Sequence, residues 1–117
     1  MKRVYPVLSF GDRAGLRAWL VAHHARSEGI YLRIYKKHSG IPSVSFEEIL
    51  DEGLCFGWSE SKRLCGDDRS YLQLFTPRRR KGTDSKRNRE HARRLIEQGL
   101  MTPAGIAALG ALAPDPR

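Results

Sequence analysis

The chain predicts an α+β domain: a small, largely antiparallel sheet, made of one strand plus a β-hairpin, packed with about four helices. Three observations predict it. Apolar residues recur at helical spacing in separate segments. The run Ile30–Tyr35 is continuous in aromatic and β-branched residues. Two further strand-like segments flank the turn-forming tetrapeptide Gly66-Asp67-Asp68-Arg69. At 117 residues the chain suits a single domain, 1–117, with room for a core. Residues 113–117, with Pro114 and Pro116, read as a frayed tail.

A first helix is expected over 12–24, where Ser9 and Asp12 form an S-x-x-D capping pattern. Leu16, Trp19, Leu20 and His23 recur at i, i+3, i+4, i+7 and form its apolar stripe. Gly29 breaks the chain before Ile30–Tyr35, whose near-continuous apolarity predicts a central strand. A loop over 36–42 follows. Ser45 and Glu48 form a second capping box, opening a helix to about Leu54. Phe46, Ile49, Leu50, Gly53 and Leu54 make its inner stripe, and Glu47, Glu48, Asp51 and Glu52 are expected on a solvated face. Segments 57–64 and 71–76 read as the hairpin, ended by Pro77. A helix is expected from Asp84 or Ser85 to Gln98, with Gly99 in the C′ position. Thr102-Pro103 then opens a short last helix to about Leu112.

Composition excludes several classes. Hydrophobic residues make up 40% and charged residues 29%, with 11 Gly and 6 Pro, so collagen-like and low-complexity chains are out. No apolar run reaches the length of a membrane span. The start is basic, but its apolar stretch is short and runs into Gly11-Asp12-Arg13 with no cleavage signature, which predicts a cytoplasmic protein. Cys55 and Cys65 have no CxxC spacing and no clustered His, so they read as thiols rather than zinc ligands. No metal motif, Walker loop or nucleophile elbow occurs, and no cofactor is expected.

The net charge of +8 is the abnormal quantity, and it is polarised along the chain. Residues 78–94 hold nine basic side chains against Asp84 and Glu90, whereas 41–60 hold five acids and no Lys or Arg. A surface of this kind suits an anionic partner. Ser85 and Asn88 fall on the inner side of the basic helix near its N-terminus, behind Arg78, Arg79, Arg80 and Lys81. Backbone N–H groups and basic side chains together make an anion site there. In the hairpin, Trp58, Glu60 and Lys62 share one face, while Tyr71 and Gln73 share another with Phe75. These residues read either as a pocket lining or as a core anchor with satisfied polar tips.

The runs Tyr35-Lys36-Lys37-x-Ser39-Gly40-x-Pro42-Ser43, Asp51-Glu52-Gly53-Leu54-Cys55-Phe56-Gly57-Trp58 and Tyr71-Leu72-Gln73-Leu74-Phe75-Thr76-Pro77-Arg78 resemble the YdeI/OmpD-associated family of bacterial proteins. Ser85-Lys86-x-Asn88 and Gly99-x-Met101-Thr102-Pro103-Ala104-Gly105 extend the resemblance over nearly the whole chain. It implies a small bacterial cytosolic protein; the family's "bacteriocin protection" label names a phenotype and no mechanism. It also implies signature positions at Trp58, Glu60, Tyr71, Gln73, Arg78, Ser85, Lys86 and Asn88. Here Ser59-Glu60 stands where that family has Ile-Asp, and Asp84 stands where it has Trp.

The expectation is a domain that binds an anionic ligand, with the site between the Trp58/Glu60 hairpin and the helix start at Ser85, Lys86 and Asn88. Arg78 and Lys86 would supply charge, Ser85 and Asn88 hydrogen bonds, and Trp58 or Tyr71 a stacking face. Nucleic acid, a phosphorylated small molecule and an acidic peptide all fit that chemistry. Two alternatives stand beside it: an enzyme using Glu60 as general acid or base, and a protein–protein adaptor.

Overall fold

The structure, a computed structural model, describes residues 5–78 and 86–109. Among them lie strands β1 (Val7–Leu8), β2 (Ile30–Tyr35), β3 (Trp58–Cys65) and β4 (Ser70–Pro77). The helices are α1 (Arg13–His23), α2 (Phe46–Phe56), α3 (Lys86–Glu97) and α4 (Pro103–Leu109). The sheet runs β1-β2-β4-β3, with β1 parallel to β2 and the other two pairings antiparallel. The fold is therefore α+β, as expected, with one addition. Val7–Leu8 forms an edge strand, too short for any periodicity to announce it.

Local capping sets the element boundaries. Asp12 caps α1 by accepting from the Gly15 N–H at 2.9 Å. Ser45 and Glu48 close a reciprocal capping box on α2. Gly57 ends α2 in the left-handed conformation at φ 75°, and the chain turns straight into β3. The N–H and hydroxyl of Thr102 both donate to the Cys55 carbonyl, so α4 is anchored on an orphan acceptor of α2's last turn. Gly53 keeps the middle of α2 free of a side chain because the Trp58 carbonyl passes 2.8 Å from where a Cβ would stand.

The helices pack on one side of the sheet. Leu16 and Leu20 of α1, Ile49 and Leu54 of α2, and Ala92 and Leu95 of α3 join Ile30, Leu32, Ile34, Trp58 and Phe75 in one core. Along β2 burial alternates strictly: Ile30, Leu32 and Ile34 are buried while Tyr31, Arg33 and Tyr35 are half-buried on the opposite face. The expected central strand is internal to the sheet, yet only one of its faces is sealed by helices.

Asp51 and Glu52 depart from the solvated face expected of them: both are buried, and Glu52 is 0% exposed. Arg13 Nε donates to Glu52 Oε2 at 2.7 Å, and Arg17 Nη1 donates to Glu52 Oε1 at 3.1 Å. Arg13 also reaches Asp51 at 3.3 Å, and Arg94 of α3 donates to Asp51 at 3.1 Å. The other arm of Arg17 donates to the Leu100 carbonyl at 2.6 Å, and its guanidinium lies 5.1 Å over the Phe56 ring. A carboxylate taken out of water must be paired and hydrogen-bonded, and two arginines one turn apart on α1 do this for Glu52.

Removing that charge has a graded consequence. Glu52→Gln should lower the urea unfolding free energy by about 3 kcal/mol, since it breaks a buried pair from its enclosed end. Arg94→Ala, whose side chain is 46% exposed, should lower it by less than about 1 kcal/mol. Equal losses for the two variants would show that Glu52 does not organise the helices.

Candidate functional site

The structure divides the residues singled out in the sequence. Trp58 is 1% exposed, packs edge-on to Trp19 at 5.6 Å, and donates its indole N–H to the His24 carbonyl at 3.2 Å. Gln73 is 2% exposed, and its amide donates to the carbonyls of Lys62 and Leu74, both at 3.3 Å. The second of these roles has a local cause. The β3–β4 register slips between Glu60 and Arg63, and the bulge leaves a ladder acceptor that the Gln73 amide fills. Both side chains are core residues with their polar atoms satisfied.

Tyr71 and Arg78 stand at opposite ends of β4, separated by about 23 Å of extended chain. Tyr71 pairs with Cys65 near the hairpin turn and lies 4.4 Å beneath the Arg63 guanidinium. The turn itself is held by Asp67, which accepts from the N–H of Arg69 at 2.8 Å and of Ser70 at 2.9 Å. Those donors, the Arg69 N–H first, hold its carboxyl below the ordinary range. Glu60 is half-buried and pairs with Phe75 on the helix-covered side. Lys86 and Asn88 lie in the first turn of α3. Their side chains lie outside the described residues, as do Ser85, Asp84, the basic loop 79–81 and the tail 113–117.

Arg78 opens onto a cleft of about 370 Å³ that also takes in Tyr5, Arg26, Ser27, Glu28 and Thr76, so one carboxylate shares the rim with the two guanidinium groups. The sequence contains the cause of this meeting, although only the register discloses it. Ile30 pairs with Phe75, so the turn before β2 lies beside the end of β4. Gly29, at φ 145°, lets that turn press in: a Cβ there would stand 2.6 Å from Thr76 and 2.9 Å from the Tyr5 ring. Ser27 accepts from the Gly29 N–H at 3.2 Å and stiffens the bend. Two guanidinium groups distant in sequence thereby border one concavity. Arg26, Ser27 and Tyr5 were not singled out by pattern, because nothing local links them to position 78.

The two thiols differ in kind. Cys65 is exposed at the end of β3. Cys55 is buried beneath α4, and burial, with the Glu52 charge adding to it, pushes its thiol up to about 11. Among the described residues no group of three or more His, Cys, Asp and Glu side chains converges as a metal site. No described helix is long and apolar enough to cross a membrane. A thiol reagent at pH 8 should modify one cysteine, Cys65, in the folded protein, and Cys55 only after denaturation; mass mapping of the labelled peptides checks this. Labelling of Cys55 in the native protein would mean that α4 opens readily from α2.

The family model described as Domain of unknown function (DUF8412) matches residues 8–108, and the chain belongs to that family. No curated protein and no solved structure matches it.

Proposed function

We propose that this DUF8412 member binds an anionic, phosphate-bearing ligand, either nucleic acid or a phosphorylated small molecule, at the end of the sheet where β4 leads toward α3. The observation that carries this reading is the cleft shared by Arg26 and Arg78. Two planar forks bordering one concavity suit phosphate oxygens, which they engage bidentately. Tyr5 supplies an aromatic wall, and Glu28 sets a single carboxylate against the two guanidinium groups on the same rim. In the sequence Arg78 is followed by Arg79, Arg80 and Lys81, and eight residues after Arg78 α3 begins at Lys86. The net charge of +8 raises the encounter rate with any polyanion. Lys86, Ser85 and Asn88 belong to the proposed site as groups at the helix start, where a positive dipole end favours the same ligand.

Anisotropy of a fluorescently labelled oligonucleotide, titrated from about 50 to 200 mM salt, tests the reading. Affinity should fall steeply with salt, and Arg26→Ala/Arg78→Ala should reduce the log–log salt slope by about 2, one for each phosphate contact removed. An unchanged slope in the variant would place the contacts elsewhere. An absence of binding at low salt would remove nucleic acid as the ligand.

A further inference from the structure

We propose that the face of the sheet that no described helix covers is a stacking platform for single-stranded nucleic acid, adjoining the Arg26/Arg78 cleft. This inference rests on the phosphate-binding reading above and names its substrate class. Helices α1, α2 and α3 pack against the opposite side, through the core that contains Ile30, Leu32 and Ile34, and α4 packs on α2. The alternation of β2 then presents Tyr31, Arg33 and Tyr35 outward in a row, ring, cation and ring, over about 13 Å of strand. The register sets Leu74 opposite Tyr31 and Leu72 opposite Arg33, so the rings rise from an apolar floor.

The cation between the rings is held in place. Arg33 Nη1 donates to the Ser70 hydroxyl at 2.8 Å, which orients the guanidinium, and the Asp67 carboxylate beyond Ser70 also feels its charge. The Ser70 hydroxyl in turn donates to Asp67, which already accepts two backbone N–H groups. The platform joins the cleft through Tyr5, which borders the cleft and meets Tyr31 edge-on at 6.0 Å. A second trough of about 410 Å³, lined by Ser59, Ser61 and Leu74, shares Thr76 and Pro77 with the cleft. The two concavities therefore meet at the end of β4, on the face that carries Leu74.

The chemistry selects a single strand. A duplex hides its base faces within its own stack and offers a protein phosphates and groove edges. An unpaired strand offers π-faces, which aromatic side chains on an open sheet bind with little regard to sequence. Three tyrosines beside three arginines match that alternation of flat base and charged backbone. The tyrosine hydroxyls also keep such a face soluble when it is empty.

The test compares a labelled single strand with its duplex on three proteins: wild type, Tyr31→Leu/Tyr35→Leu and Tyr31→Phe/Tyr35→Phe. Leucine keeps the half-buried apolar surface, so the sheet face loses rings and not packing. The leucine pair should weaken single-strand binding by about tenfold or more and leave duplex binding and the salt slope unchanged. The phenylalanine pair, which keeps the rings, should bind as wild type does. Ultraviolet cross-linking of the strand to the wild-type protein should join it to the peptide holding Tyr31 and Tyr35, a readout that needs no variant to fold. Full single-strand affinity in the leucine pair, together with a loss in Arg26→Ala/Arg78→Ala, would overturn the platform while the phosphate cleft stands. Cross-links confined to other peptides would overturn it equally, and no binding of either oligonucleotide at low salt would remove both.

Discussion

Enclosing Glu52 in charged form is the constraint on which the rest of the structure depends. Its side chain is shut away from solvent, so its carboxylate oxygens must find donors inside the protein. Arg13 and Arg17 provide them from successive turns of α1, on the flank next to the stripe of Leu16 and Leu20. Apolar burial alone would let α1 slide or roll over α2 with modest change in contact area. Any such movement would strand a charge. Asp51 extends the same logic to α3 through Arg94, and Arg17 extends it to the α3–α4 connection through the Leu100 carbonyl. Such networks contribute less to net stability than an apolar replacement of equal volume would, so this one is better understood as fixing the mutual orientation of three helices.

Fixing the helices on one side of the sheet decides what the other side can do. The core draws Trp58 and Phe75 inward and seals the Trp58 indole N–H against the end of α1. Gln73 is drawn inward too, where its amide closes the bulge in β3. Aromatic groups with a polar edge remain on the open side: Tyr31 and Tyr35 on β2, with Tyr5 at the sheet's end. Amphipathic rings suit a half-wet surface, whereas the Trp58 indole has its one donor satisfied inside. The same division separates the arginines. Arg13, Arg17 and Arg94 hold carboxylates among the helices, while Arg26 and Arg78 border a concavity together with Glu28, and Arg33 is held by the Ser70 hydroxyl beside Asp67.

What the sequence discloses follows the range of the interaction responsible. The capping box of Ser45 and Glu48, the left-handed Gly99, the Thr102-Pro103 start and the strand Ile30–Tyr35 are all set by residues within a turn of one another. Each is legible in the chain and each is found. Asp51 and Glu52 are misjudged for the complementary reason. On a helical wheel they belong to the polar face, and the arginines that bury them come from positions 35 to 43 residues away. The Arg26/Arg78 cleft is hidden likewise, since it exists only because β4 inserts between β2 and β3. A hairpin read by itself places β3 and β4 side by side but does not say which of them meets β2.

The insertion of β4 also explains why a site cannot be assembled from motif residues by proximity in sequence. The stretch from Tyr71 to Arg78 resembles one functional unit when read along the chain, yet as a strand it carries its two ends to opposite edges of the molecule. Its inward residues, Gln73 and Phe75, serve the core. Its outward residues, Leu72, Leu74 and Thr76, form the floor beside Tyr31 and Arg33. One segment therefore carries two patterns at a spacing of two residues, one turned to the helices and one away from them. The buried Trp58 then belongs to the packing that holds the open face in shape, while the alternate positions of β4 are the ones left toward that face.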